Sequence, residues 1–179
     1  MRPYFQYINK KFKLTTITGV EVGVKKGDNA LQVINTLPTL SLLYLVDKWK
    51  AYSKDIALPT EQQAGYLKQT QFDRWKWEAQ YKLSKYSNIT FLEMDSILAA
   101  KYLINENIKV DFVYIDATHV YDLVLKDCNA WLPVIKSNGV IGGHDFNNPA
   151  AFVADAVKTF AASIDKELLF EGEDWWIQL

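Results

Sequence analysis

Two short segments of the sequence bring both histidines of the chain close to aspartates. The apolar run 112–115 ends in Asp116, and His119 comes three residues later. The run 139–143 leads directly into His144-Asp145. Runs of this composition predict β-strands, and ligands gather at the carboxyl ends of parallel strands. The two segments therefore predict one site at a sheet edge.

These side chains are suited to two kinds of chemistry. Histidine titrates near neutrality, so His119 is a candidate general base with Asp116 beside it as a second catalytic residue. Carboxylates and imidazole also bind divalent cations, so Asp116, Asp145 and His144 form a candidate site for Mg²⁺ or Mn²⁺. Because imidazole is a poor Mg²⁺ ligand, His144 either binds a softer metal or orients a neighbour by a hydrogen bond. The alternative role for His119 is to cap the helix that follows it.

The elements that must position this site alternate along the chain. Predicted strands cover 18–24, 41–46, 89–93, 110–115 and 140–143, and predicted helices cover 28–35, 69–86, 96–104, 121–132 and 152–160. A hairpin with a turn at Gly172 follows. The alternation predicts a mainly parallel α/β sheet with right-handed crossovers. The N-terminal extension 1–17 should pack its aromatic residues over one edge, and 48–67 is a candidate lid or acceptor loop.

Composition limits the class of protein. A chain of 179 residues with 49% hydrophobic content predicts a single domain, 1–179. A net charge of -1 without a long basic block argues against a nucleic-acid partner, and the basic N-terminal residues are interpreted as a solvated face. No apolar run reaches membrane-spanning length, and no signal peptide is recognised, so we expect a cytoplasmic protein. A homodimer is expected if so short a chain needs a partner subunit to close its pocket.

The first strand–helix turn carries the pattern of a cofactor site. Glu21 is followed by Gly23 and Gly27, and Asp47 lies 47 − 27 = 20 residues after the second glycine. An acidic residue at that spacing can accept hydrogen bonds from ribose hydroxyls. A pyrophosphate would be repelled by Glu21, whereas a ligand with an ammonium group would be attracted. The turn therefore favours S-adenosylmethionine over a dinucleotide.

Three segments together resemble class I S-adenosylmethionine-dependent methyltransferases. They are the turn at 20–27, the D-x-x-H-x-Y motif at 116–121 and the G-H-D-F motif at 143–146. The resemblance implies a Rossmann-like three-layer α/β/α sandwich whose seven-stranded, mostly parallel sheet has an antiparallel C-terminal hairpin strand. Ala117 and Asn138 depart from the motifs of small O-methyltransferases. The family implies the following cofactor-binding residues: Glu21, Gly23 and Gly27 at the methionine, Asp47 at the ribose, Asp95 and Ser96 at the adenine, and Asp116.

Two functions follow from this reading. The first is O-methylation of a hydroxylated small molecule, sugar or glycan, with His119 as base and a divalent metal as an optional aid. The second is a catalytically inactive or partner-dependent module that binds S-adenosylmethionine. The intact set of Asp116, His119, His144 and Asp145 favours the enzyme, because a binding module does not need these groups. A dehydrogenase is disfavoured by the first turn.

Overall fold

The computed structural model describes residues 2–51, 68–149 and 152–179. Strands and helices alternate through most of this part of the chain, as predicted. The strands are β1 (Ile17–Val22), β2 (Leu40–Val46), β3 (Ile89–Leu92), β4 (Val110–Ile115), β5 (Ile135–Gly143), β6 (Leu168–Glu171) and β7 (Asp174–Gln178). The helices are α1 (Pro3–Lys11), α2 (Asp28–Thr36), α3 (Gln69–Leu83), α4 (Ser96–Asn105), α5 (Tyr121–Trp131) and α6 (Val153–Ser163).

The seven strands form one sheet in the order β3-β2-β1-β4-β5-β7-β6. The first five strands are parallel, and β7 pairs antiparallel with both β5 and β6. Val22 is level with Val46 and with Ile115, and Ile115 is level with Gly143. The residues that follow these strands therefore meet along one edge, which confirms the fold class and the shared edge expected from the sequence.

Helices cover both faces of the sheet because its central strands are apolar on both sides. In β2, Leu43 and Leu45 face the core beneath α1, α2 and α3, whereas Tyr44 and Val46 face the core beneath α4, α5 and α6. Neighbouring side chains of a strand point to opposite faces, so a strand buried on both faces needs an unbroken apolar run. Of the described helices, none combines the length and apolarity needed to cross a membrane.

The N-terminal segment differs from its expected placement over an edge of the sheet. It forms α1, whose Tyr4, Phe5 and Ile8 are fully buried against one face. The Tyr4 hydroxyl donates to the backbone carbonyls of Val113 and Val140, which belong to β4 and β5. The helix is thus part of the core, and it reaches the two strands that deliver the histidines.

Candidate functional site

The aligned strand ends enclose a cavity of about 420 Å³ at the carboxyl edge of the sheet. Small-molecule sites typically have volumes of roughly 300–1,000 Å³, so the cavity is large enough for a cofactor. Two predicted residues, His144 and Asp145, line a smaller cleft that shares Asp116 and His119 with the cavity. Two others, Glu21 and Gly27, line neither. Six of the residues predicted from sequence line the main cavity: Gly23, Asp47, Asp95, Ser96, Asp116 and His119.

The two glycines of the first turn pack against different parts of the chain. Gly23 has φ +91°, and a Cβ there would lie 2.0 Å from the backbone oxygen of Asp116. Gly27 has φ +74° and precedes α2 as its N-cap. A Cβ on Gly27 would lie 3.0 Å from Leu83 of α3. Close packing of the chain against itself therefore accounts for both glycines, and only Gly23 is at the cavity wall.

Glu21 is buried beneath the turn. One carboxylate oxygen accepts a hydrogen bond from the Asn29 amide at 3.3 Å. The other oxygen is buried and has no hydrogen-bond partner among the described residues. Burial raises the pKa of Glu21 well above its usual value, and the nearby Asp116 acts in the same direction. Binding of a ligand ammonium by Glu21 stays a prediction, since the side chain does not reach the cavity wall.

Asp47 accepts hydrogen bonds from three backbone amides. Its Oδ2 accepts from Val24 at 3.0 Å and from Lys25 at 2.9 Å, while its Oδ1 accepts from Trp49 at 2.7 Å. Burial raises the pKa of Asp47, although these backbone hydrogen bonds oppose the shift. The carboxylate thus holds the turn after β1 against the end of β2. Oδ1 accepts from a single amide and retains capacity to bind a ligand hydroxyl.

At the end of β3, Asp95 caps α4 by accepting a hydrogen bond from the backbone amide of Ile97 at 3.0 Å. The next residue, Ser96, accepts a hydrogen bond from the Trp131 indole of α5 at 2.9 Å. Asp127, also on α5, is buried and lines the cavity here. Burial raises the pKa of Asp127 to about 6, and a hydrogen bond from Ser96 opposes that rise. Asp127 was not identified from sequence because it lies within an apolar helical stripe.

Asp145 joins the two histidines. Its Oδ2 lies 2.8 Å from His119 Nε2 and 3.2 Å from His144 Nδ1, and its Oδ1 accepts from Asn148 at 3.1 Å. Although burial alone would raise the pKa of Asp145, the histidine hydrogen bonds hold it well below its usual value. The backbone of Asp145 is left-handed, with φ +62°. Such a conformation is strained in a non-glycine residue and is concentrated at functional sites.

Arg2 was assigned to a solvated face in the sequence analysis, and that assignment is wrong. Its guanidinium donates to the Tyr114 hydroxyl at 2.8 Å and to Asp174 at 3.4 Å. It also lies 3.6 Å from Asp116 Oδ2. Burial raises the pKa of Asp116, while His144 and Arg2 oppose this and favour the carboxylate. Charge alone could not have revealed this role, because it depends on the packing of α1.

The candidate metal ligands lie close together. Asp116, His144 and Asp145 each offer one ligand atom, and these atoms lie within 4.8 Å of one another. Two carboxylate oxygens and one imidazole nitrogen fit Mn²⁺ or a softer cation better than Mg²⁺. His144 and His119 already contact Asp145 Oδ2, so a cation would have to compete with them for this carboxylate.

Three aromatic side chains also line the cavity and were not identified as cavity residues from sequence. Trp49, Phe72 and Trp75 all line it, and the Trp49 indole donates to the Lys25 carbonyl at 2.8 Å. Phe72 and Trp75 pack on the core beneath α3, and apolar residues at helical spacing indicate burial but not a ligand. Within the candidate loop 48–67, residues 48–50 line the cavity, whereas residues 52–67 lie outside the described part of the chain.

A mostly parallel sheet of this order, with a cofactor-sized cavity at its carboxyl edge, defines a Rossmann-like α/β protein. A family model described as a methyltransferase domain matches residues 20–146. The chain belongs to this family. Its matched region contains all of the strand-end residues discussed above.

Solved structures of methyltransferases share the fold at low sequence identity. The calicheamicin methyltransferase CalS11 superposes with a TM-score of 0.70 at 12% identity, over 98% of this chain and 77% of CalS11. The O-methyltransferase NovP gives 0.67 at 13% identity, over 98% and 78%. MycE, in complex with Mg and S-adenosylhomocysteine (SAH), gives 0.61 at 12% identity, over 98% and 48%. Among curated protein sequences, none matches the chain significantly.

Proposed function

We propose that this methyltransferase domain transfers a methyl group from S-adenosylmethionine to a hydroxyl of a small molecule or sugar, with His119 as the general base. The observation that carries the proposal is the 2.8 Å contact between His119 and Asp145, beside Asp116 and at the cavity wall. A base oriented by a carboxylate is the arrangement that proton abstraction from a hydroxyl requires.

The residues at the cavity wall fit the cofactor. Asp47 has an oxygen that can accept a second hydrogen bond, as a ribose hydroxyl requires. Gly23 lets the backbone of the first turn lie directly at the wall, and Asp95 and Ser96 line the end next to β3. Trp49, Phe72 and Trp75 supply the apolar surface that a purine or a thioether would contact. Glu21 and Gly27 support the turn from behind.

S-adenosylmethionine, when bound, supplies an electrophilic methyl group on its sulfonium. The chain's own contribution begins with the hydrogen that His119 Nε2 donates to Asp145, which fixes the tautomer and the ring orientation. The lone pair of the imidazole is then on Nδ1, which is buried in this structure, so the loop that holds His119 must shift on acceptor binding before Nδ1 can take the proton of the hydroxyl. Asp145 stabilises the imidazolium that forms, because its lowered pKa keeps it ionised.

A divalent cation is a second means of activating the acceptor. Asp116, Asp145 and His144 would hold it, and it would lower the pKa of a bound hydroxyl. MycE, whose structure contains Mg, shares the fold at 12% identity. This similarity supports testing for a metal but does not identify the metal ligands of this chain. Loss of turnover in a strong chelator and its recovery with Mn²⁺ would support the cation. Full turnover after exhaustive chelation would limit these residues to positioning.

The first experiment is calorimetry with S-adenosylmethionine, SAH and NAD. We expect both sulfur ligands to bind and NAD not to bind. Tight NAD binding without SAH binding would overturn the proposal in favour of a dehydrogenase. The second experiment follows SAH release with a panel of hydroxylated acceptors that starts with TDP-rhamnose, the acceptor named for CalS11. Binding of SAH with no turnover on any acceptor would favour the module that only binds the cofactor.

The role of the base is tested separately from binding. Removing a general base typically lowers turnover by about 10²–10⁴-fold. His119→Gln should therefore show this loss with an SAH dissociation constant close to that of the wild type. Asp122→Asn, an exposed change on α5, serves as the control and should leave both quantities unchanged. Wild-type turnover in His119→Gln would show that His119 is structural.

A further inference from the structure

Asp127 is a carboxylate on the buried face of α5. The face also carries Val124, Cys128 and Trp131, and its spacing is that of a helix packed on a sheet. Asp127 is 7% exposed, yet it lines the cavity together with Ser96. Burying a carboxylate is costly unless hydrogen bonds or opposite charges compensate for the lost water. The position therefore needs an explanation beyond packing.

The described residues offset only part of the cost of burying the Asp127 carboxylate. Ser96 hydrogen-bonds to the carboxylate, and Ser96 is itself fixed by the Trp131 indole at 2.9 Å. No lysine, arginine or histidine in the described part of the chain pairs with Asp127, and the charged neighbour that acts on it, Asp95, is also acidic. The pKa of about 6 reflects this incomplete compensation. Hydrogen-bond capacity of the carboxylate is thus left for a ligand donor on the cavity side.

The position of Asp127 separates it from the reacting groups. Its partner Ser96 follows β3, whereas His119 follows β4, and the sheet order places β2 and β1 between these strands. Three strand spacings amount to about 14 Å. A ligand that fills the cavity from one end to the other therefore has its reacting end at His119 and its recognition end at Asp127. In S-adenosylmethionine, the part remote from the methyl group is the adenine.

We infer that Asp127 recognises the exocyclic amino group of the cofactor's adenine, an inference that rests on the proposed function. A carboxylate only accepts hydrogen bonds, and the amino group is the donor on the outer edge of adenine, whose ring nitrogens are acceptors. Ser96 orients the carboxylate, and Trp131 orients Ser96. This gives the domain a means to select adenine among purines from a helix rather than from a strand end.

The test is a cycle in which the protein and the ligand each lose one partner of this hydrogen bond. The ligands are SAH and its analogue with hydrogen in place of the 6-amino group. The proteins are the wild type, Asp127→Leu and Asp127→Asn, with Asp122→Asn on the exposed face of α5 as the control. Calorimetry gives the dissociation constant of each pair, and circular dichroism checks folding.

For the wild type and Asp122→Asn, we expect removal of the amino group to weaken binding about 10- to 150-fold, the range for a hydrogen bond to a charged group. Asp127→Leu has no acceptor, so the same change should weaken its binding less than about threefold. Asp127→Asn keeps a neutral acceptor and should fall between, and its similar shape makes it the variant to rely on if Asp127→Leu does not fold.

Two results overturn the inference, and they are distinguishable from failure of the proposed function. If folded Asp127→Asn and Asp127→Leu discriminate between the ligands as strongly as the wild type, another group recognises the amino group. If the wild type binds both ligands equally, no residue does. If the wild type binds neither SAH nor S-adenosylmethionine, the proposed cofactor itself is wrong, and the inference falls with it.

Discussion

Asp127→Asn should make the unliganded protein more stable at neutral pH. Burial raises the pKa of Asp127 from 3.8 to about 6, a shift of about two units. One unit corresponds to about 1.36 kcal/mol, so keeping this carboxylate charged in the folded protein costs up to about 3 kcal/mol. The amide of asparagine has nearly the same shape, can still accept the Ser96 hydrogen bond, and has no charge to desolvate.

The sign of the pH dependence follows from the raised pKa. Below pH 3.8 the carboxyl is protonated in both the folded and the unfolded state, so it carries no desolvation cost. As the pH rises from 3.8 to about 6, the unfolded state ionises first and the folded state loses stability relative to it. Above about pH 6 the cost is complete. The advantage of Asp127→Asn should therefore be present at pH 7.5 and nearly absent at pH 4.

Urea unfolding at pH 4 and pH 7.5, followed by tryptophan fluorescence, measures both differences. Exposed Asp122→Asn is the matched control; it loses a carboxylate in the first turn of α5, so it should lower the free energy of unfolding at pH 7.5 by no more than about 1 kcal/mol. If Asp127→Asn is less stable than the wild type at pH 7.5, or if its advantage persists at pH 4, desolvation does not dominate at this site. The reasoning about an uncompensated buried charge would then be refuted.

Three further predictions concern residues in and around the site. Gly23→Ala should destabilise the protein by more than about 3 kcal/mol in urea unfolding, because its Cβ would lie 2.0 Å from the Asp116 carbonyl oxygen. The control is Gly172→Ala, at a position with a positive φ where the added Cβ has no atom within 4 Å. It should cost only about 1 kcal/mol, and equal losses in the two variants would contradict the clash at Gly23. Arg2→Met should lower the free energy of unfolding by about 3 kcal/mol because it leaves buried Asp174 without its cation. The control Arg74→Met removes an exposed pair with Glu78 and should change stability by less than about 0.5 kcal/mol. A similarly small effect of Arg2→Met would show that Arg2 acts as a surface residue. Asp145→Asn should lower the pKa of His144 in an NMR titration, because the Asp145 hydrogen bond helps to raise that pKa above its usual value; an unchanged titration would argue against the contact.

Local patterns in the sequence were sufficient for the fold. The apolar run 42–46 is the pattern of a strand buried on both faces, and the run that ends at Asp116 predicted where β4 stops. Alternation of such runs with helical periodicity implied parallel strands, and parallel strands in register bring their ends to one edge. Asp47, Asp95, Ser96, Asp116 and His119 were therefore predictable as cavity residues from their position directly after or near strand ends.

The contacts between these residues depended on the tertiary structure. Spacing placed His119 near Asp116, but only the neighbouring position of β4 and β5 brings it to Asp145. Arg2 reaches Asp116 because α1 packs on the sheet face, a placement that basic residues near aromatic ones do not encode. Glu21 and Gly27 belong to the turn that, together with Asp47, predicted the cofactor, yet neither lines the cavity, since the chain's own packing uses the same residue types.

Asp127 marks the limit of sequence reasoning most clearly. On α5 it occupies a position of the buried stripe, where periodicity alone predicts an apolar side chain. Its partner Ser96 is 31 residues away (127 − 96 = 31) and belongs to another helix, and the cavity that both residues line exists only once α4 and α5 are packed together. Hydrophobic periodicity is a local property and specifies which face of a helix is buried. The packing of the helices on the sheet decides whether that buried face also borders a ligand cavity.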